Sequence, residues 1–213
     1  MRHVLFISAM ALAGFASVAR GGILYELTID TRTIAGTAGS LDFNFNPGPL
    51  VTQAASLDIS SFLSDGTPVS GSCALGGPCL TGDVSGTLPG TLTFDNGTGF
   101  NDYFQDFTFG NTLMFDVRLY GPAVNSPDGI STSGSTFAFS MFSDAAGTIP
   151  ILTSDLTDGF AATIGLNLDG TSSVNNFSAE TTVSAVPEPS SFVLVVVVAL
   201  GMLCRCRRWF SAQ

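Results

Sequence analysis

The chemistry open to this chain is set first by what it lacks. Among 213 residues there is one histidine, His3, and no lysine. His3 stands in an N-terminal segment with the layout of a cleavable leader, so the mature chain has no imidazole. Ser-His-Asp and Cys-His catalysis both need that base, and histidine-ligated zinc needs that ligand. Without lysine, Schiff-base chemistry and a Ser-Lys pair also fall away. A carboxylate-pair glycosidase passes this filter, since it needs only two suitably separated acids. Most of the acids, however, sit beside Gly, Asn or Ser in turn-like runs or at outward strand positions. No catalytic residue is assigned, and the chain reads as a non-enzyme.

Oxygen-rich turns are the other chemical resource. Asp95, Asn96, Asn101, Asp102 and Asp106 form the densest cluster, and calcium takes its ligands from carboxylates, amides and carbonyls. The cluster does not follow the order of an EF-hand loop, so it reads as solvated turns and no cofactor is expected, with calcium as the alternative. Cys73 and Cys79 bracket Ala-Leu-Gly-Gly-Pro. In an oxidising compartment they make a structural disulfide that closes a short loop and contributes about 2–3 kcal/mol at most; two free thiols are the alternative. Cys204 and Cys206 lie near the C-terminus, where C-x-C is a weak signal for metal or redox chemistry.

Charge excludes one class of partner. The chain carries 17 acids and seven arginines, a formal charge of −10. From Arg20 to Val186, 16 of the acids face only Arg20, Arg32 and Arg118. Phosphate binding needs a basic face, so nucleic acid is not a partner. The acidity reads as solubility and mutual repulsion, with cation binding as the alternative. With 18 phenylalanines and only 11% charged residues, the chain folds rather than staying disordered.

The elements that must position these residues are strands. Apolar residues recur at every second position in Ile23-Tyr25-Leu27-Ile29, Leu41-Phe43-Phe45, Leu92-Phe94, Leu113-Phe115-Val117-Leu119, Phe137-Phe139-Met141 and Ile164-Leu166-Leu168, the period of a half-buried strand. Turn-rich runs separate them, including SDG at Ser64–Gly66, DNGTG at Asp95–Gly99 and LDG at Leu168–Gly170. Asn96-Gly97 predicts a type I′ hairpin turn, which needs positive φ at both positions. The pattern predicts an all-β fold, a β-sandwich of jelly-roll-like type. The phenylalanines read as core, with Phe100, Tyr103 and Phe104 as candidates for exposure and stacking on a sugar.

Both ends read as addresses. Arg2 and His3 precede an apolar stretch from Val4 to Phe15 and small residues at Ser17 and Ala19, which is the layout of a secretory signal peptide over residues 1–19. At the other end, Pro187-Glu188-Pro189 precede an apolar run from Phe192 to Cys204, followed by Arg205, Arg207 and Arg208. As a helix that run covers only ~20 Å, against a bilayer core of ~30 Å. It predicts a marginal transmembrane anchor, with the arginine cluster on the cytoplasmic side. The prolines bar the helix from extending upstream.

This order of parts resembles the PEP-CTERM sorting signal of Gram-negative bacteria. The resemblance implies that exosortase, an integral-membrane cysteine-type transpeptidase, recognises the motif and removes the anchor, in a system associated with exopolysaccharide production. Residues 186–213 would then be the sorting signal and 20–185 a secreted domain. The stretches LDFNFNPGP and FDNGTGFNDYFQDFTFG are similar to a recurrent group of PEP-CTERM cargo proteins of unassigned role, which supplies no catalytic residues. The expectation is an exported, non-enzymatic cell-surface or exopolysaccharide-matrix protein. It would be held briefly at the inner membrane, with exosortase and the polysaccharide as partners. A secreted carbohydrate-binding, lectin-like module is the alternative, resting on fold analogy.

Overall fold

A computed structural model describes residues 21–70 and 78–187. In chain order the described strands are β1 (Ile23–Asp30), β2 (Ala38–Pro47), β3 (Ser56–Ser64), β4 (Thr67–Pro68), β5 (Cys79–Thr81), β6 (Val84–Gly86), β7 (Leu92–Asp95), β8 (Asp102–Thr108), β9 (Thr112–Tyr120), β10 (Ser135–Phe142), β11 (Phe160–Leu166), β12 (Ser172–Asn176) and β13 (Thr181–Val186). They build two antiparallel sheets. One has the order β13-β1-β9-β3-β7-β6; the other has β12-β11-β10-β2-β8-β4, with β5 also paired to β8. The all-β expectation holds. Among the described residues the only helical pieces are single turns at Arg32–Ile34 and Pro122–Asn125. None of the described helices is long and apolar enough to cross a membrane. The predicted signal peptide and sorting helix lie outside the described residues.

The two sheets stack because each offers one apolar face. In β2, Leu41, Phe43 and Phe45 are fully buried, and so are Phe137, Phe139 and Met141 in β10. Leu113, Phe115, Val117 and Leu119 of β9 and Leu27 and Ile29 of β1 meet them from the other sheet. The Phe43 ring lies 5.2 Å from Phe115 and 5.0 Å from Phe139, and Phe115 and Phe139 are 5.0 Å apart. This trio ties the sheets together, each ring contributing about 1.5–3 kcal/mol by burial and each edge-on pair about 0.5–1.5 kcal/mol more.

Of the strands that the apolar alternation did not mark, the two longest, β3 and β8, were hidden for identifiable reasons. In β8 the inward positions are Tyr103, Gln105 and Phe107, and the polar Gln105 breaks the pattern. Its burial is balanced by hydrogen bonds: Gln105 Nε2 donates to the Val69 carbonyl at 2.8 Å, and Tyr103 Oη donates to Gln105 Oε1 at 3.2 Å. In β3 the register shifts between Ser60 and Leu63, with Ser61 at φ 55°. This bulge carries Phe62 inward and resets the alternation.

The hairpin expected at Asn96-Gly97 does not form. β7 belongs to the six-stranded sheet and β8 to the other, so the turn crosses between sheets. Neither residue is among those with positive φ, which rules out a type I′ turn. Asn96 is instead buried and acts as a bracket. Its Oδ1 accepts from Ala55 N at 2.9 Å, and its Nδ2 donates to the Gln53 carbonyl and to Ser135 Oγ, both at 2.8 Å. The LDG run does close a hairpin, between β11 and β12. Gly170 supplies its left-handed residue at φ 80°, and Leu168, expected in the strand, is half exposed in the turn.

Candidate functional site

Strand alternation sends every second side chain of the seven-stranded sheet outward, and the register aligns these into rows. One row crosses the sheet as Asn175, Thr163, Ala138, Asn44, Asp102 and Thr81. The next row runs through Ser140, Asp42 and Phe104. The segment after β10 folds back over part of this face: Ser40 Oγ donates to the Asp144 carbonyl at 2.8 Å, and the Phe104 ring lies against Gly147. Positions that read as solvent-facing along a single strand are thus partly enclosed.

Over β10, β11 and β12 this face forms a groove of about 440 Å³, lined among others by Thr136, Thr163, Gly165, Ser173 and Asn175. Asn175 Nδ2 donates to Thr163 Oγ1 at 3.3 Å, leaving a wall of hydroxyl and amide groups. Of the three aromatics singled out in the sequence, Phe100 is 52% exposed. It immediately precedes Asn101, whose N–H donates to Asn46 Oδ1 at 2.6 Å. Tyr103 is fully buried and accepts from Leu88 N at 3.1 Å, so it cannot stack on a ligand. Phe104 is half-buried beside Asp42.

Beside the groove lies a cluster that the sequence reading did not assemble. Asp42 and Asp102 sit diagonally on β2 and β8 with their carboxyl groups within hydrogen-bonding reach. Asn44, directly opposite Asp102, donates from Nδ2 to Asp42 Oδ1 at 2.7 Å. Burial first, and then the hydrogen bond with Asp102, hold the Asp42 carboxyl well above the ordinary carboxylate range, while the Asn44 amide pulls the other way. Burial raises Asp102 as well. Asn44 Oδ1 and Asp102 Oδ1 are buried without a hydrogen-bond partner. The pair is closer than the ~5–9.5 Å that separates the two carboxyl groups of a glycoside hydrolase. What such an acceptor-rich cluster can hold is a proton or a cation that seeks oxygen.

Asp95, Asn96, Asn101, Asp102 and Asp106, the alternative calcium ligands of the sequence, are not brought together. Asp95 lies on β7 in the other sheet, where Ser56 Oγ hydrogen-bonds it. Asn96 is occupied as described. Asn101 is buried, its Oδ1 accepting from Asp83 N at 2.8 Å and its Nδ2 donating to the Phe45 carbonyl at 3.0 Å. Asp102 and Asp106 share a strand face but stand four residues, about 13 Å, apart. The sequence cluster is compact in number and dispersed in space. Among the described residues no group of three or more His, Cys, Asp or Glu is placed to hold a metal.

Cys79 is disulfide-bonded; Cys73 lies outside the described residues, as do Glu188, Pro189, Arg205, Arg207 and Arg208 of the sorting signal. Pro187 is described and exposed, immediately after β13. No family model matches this chain, and no curated protein or solved structure matches it.

Proposed function

We propose that this chain is an exported, non-enzymatic cell-surface or exopolysaccharide-matrix protein of jelly-roll-like fold, processed by an exosortase at Pro187-Glu188-Pro189. The observation that supports the reading is where the domain stops. β13 pairs with β1 at the edge of its sheet through Val186, and the motif begins on the next residue, with 184–187 exposed. Cleavage there leaves every described strand in place. Replacing Pro187-Glu188-Pro189 with alanines, or deleting the exosortase, should leave the protein at its full anchored mass by immunoblot and mass spectrometry. Unchanged processing in both backgrounds rejects the mechanism.

The groove favours a second reading, a carbohydrate-binding module. Hydroxyl and amide side chains at Thr136, Thr163, Ser173 and Asn175 offer the donors and acceptors that a sugar hydroxyl requires, and Phe100, outside the groove's lining, supplies a separate exposed aromatic face. A polysaccharide pull-down in which Asn175→Ala and Phe100→Ala each reduce retention supports this reading. Retention unaffected by both variants removes it.

A further inference from the structure

We propose that Asp42, Asn44 and Asp102 form a calcium site on the outer face of the seven-stranded sheet. The inference is independent of sorting at the C-terminus.

Two carboxyl groups meet here among neighbours that offer them few donors. Asn44 is only 8% exposed, and its amide lies against Asp42, yet its Oδ1 has no partner; neither does Asp102 Oδ1. Buried acceptors of this kind ordinarily find a donor or an ion, because leaving one unsatisfied costs about 1–3 kcal/mol. No described basic side chain supplies the charge. Arg32 is paired to Asp30 at 2.5 Å, and Arg118 is on β9 of the other sheet. The neighbours in the Asp42 row, Ser140 and Phe104, bring no positive charge.

The ligand set selects the ion. Every donor is a hard oxygen: the carboxylate of Asp42, one oxygen of which accepts from Asn44 Nδ2, the carboxylate of Asp102, and the amide oxygen of Asn44. Calcium accepts six to eight oxygens in irregular geometry and completes its shell with water, whereas magnesium demands near-ideal octahedral ligands. Side chains fixed at three positions on two paired strands suit the more tolerant ion. Two carboxylates and one amide predict an affinity in the range of extracellular modules, about 0.1–1 mM.

The test is thermal unfolding of the intact chain, before and after adding calcium chloride to chelated protein, with terbium luminescence as the direct binding readout. At about 10 mM calcium the expected Tm rise is about 3–11 °C. Asp42→Asn and Asp102→Asn relieve the crowding of acids and so retain the fold, but should abolish the rise and the terbium signal. Asn44→Asp, which adds a third carboxylate, should bind more tightly, by about tenfold. Asp95→Asn and Asp106→Asn should leave the rise intact. The proposal is overturned if calcium does not shift the wild type, if the shift survives both Asp42→Asn and Asp102→Asn, or if magnesium matches calcium.

Discussion

Asn96 gives the sharpest test of how the two sheets are joined. Alanine at this position removes three hydrogen bonds, to Ala55 N, the Gln53 carbonyl and Ser135 Oγ. The partners lie where water does not reach easily, with Ala55 at 3% and Ser135 at 2% exposure. Each bond contributes about 1 kcal/mol net, and a stranded buried donor costs more, so Asn96→Ala should destabilise by about 3–4 kcal/mol. For a domain of this size that lowers Tm by roughly 6–16 °C. Gly97→Ala should do much less, within about 1 kcal/mol, because Gly97 does not need positive φ. A new Cβ there meets only the end of the Asp83 side chain, 2.5 Å away, which is free to move. Urea unfolding of both variants, read as midpoint shifts at constant m-value, decides the matter. A type I′ hairpin predicts the reverse order, with Gly97→Ala the costlier change. That reversed result would refute the cross-sheet bracket.

Other consequences are open to measurement. Phe43→Ala should cost about 3–5 kcal/mol, since a fully buried ring in contact with both sheets is lost; urea unfolding reads it directly, and a cost under about 1 kcal/mol would contradict the central aromatic trio. In chelator, stability should fall as pH rises. Asp42 is raised to about 9 when folded, so between about pH 4 and 9 the native state holds a proton that the unfolded chain releases, a slope of at most about 1.4 kcal/mol per pH unit. The exposed carboxyls held below their ordinary range by hydrogen bonds, at Asp30, Asp65, Asp128, Asp144 and Asp169, lose stability only as pH falls below about 4. Their contribution is constant between pH 5 and 8 and adds no slope there. Unfolding at those two pH values should therefore show the slope in wild type and a flattened one in Asp42→Asn. Phe100→Ala should leave Tm within about 2 °C, because a half-exposed ring contributes little to folding, so any loss of polysaccharide retention would report binding alone.

The sequence by itself determined the strands whose alternation is purely apolar. Leu41, Phe43 and Phe45, or Leu113 through Leu119, announce an inward face because period two is a local property of extended backbone. It also determined the overall acidity, the single histidine, His3, and the lack of any lysine. β3 and β8 were less legible, since a bulge at Ser61 and a buried Gln105 interrupt that period and are tolerated only through contacts made after folding.

Only the tertiary structure decided what the polar residues do. Asn96-Gly97 has the composition of a hairpin turn, but the flanking strands pair in different sheets, and pairing is a long-range choice that no dipeptide encodes. The five oxygen-bearing residues from Asp95 to Asp106 are neighbours along the chain and scattered in space, because strand extension moves residues about 3.3 Å apart per step and sends alternate ones to opposite faces. Asp42 and Asp102 are 60 positions apart in the sequence, yet the β2–β8 register brings them together with Asn44. Asp42 read as an ordinary outward carboxylate and Asp102 as a member of a different cluster until the folded sheet gave each the other as a neighbour. Proximity between distant residues is set by register, and register is fixed by the packing of the whole sandwich.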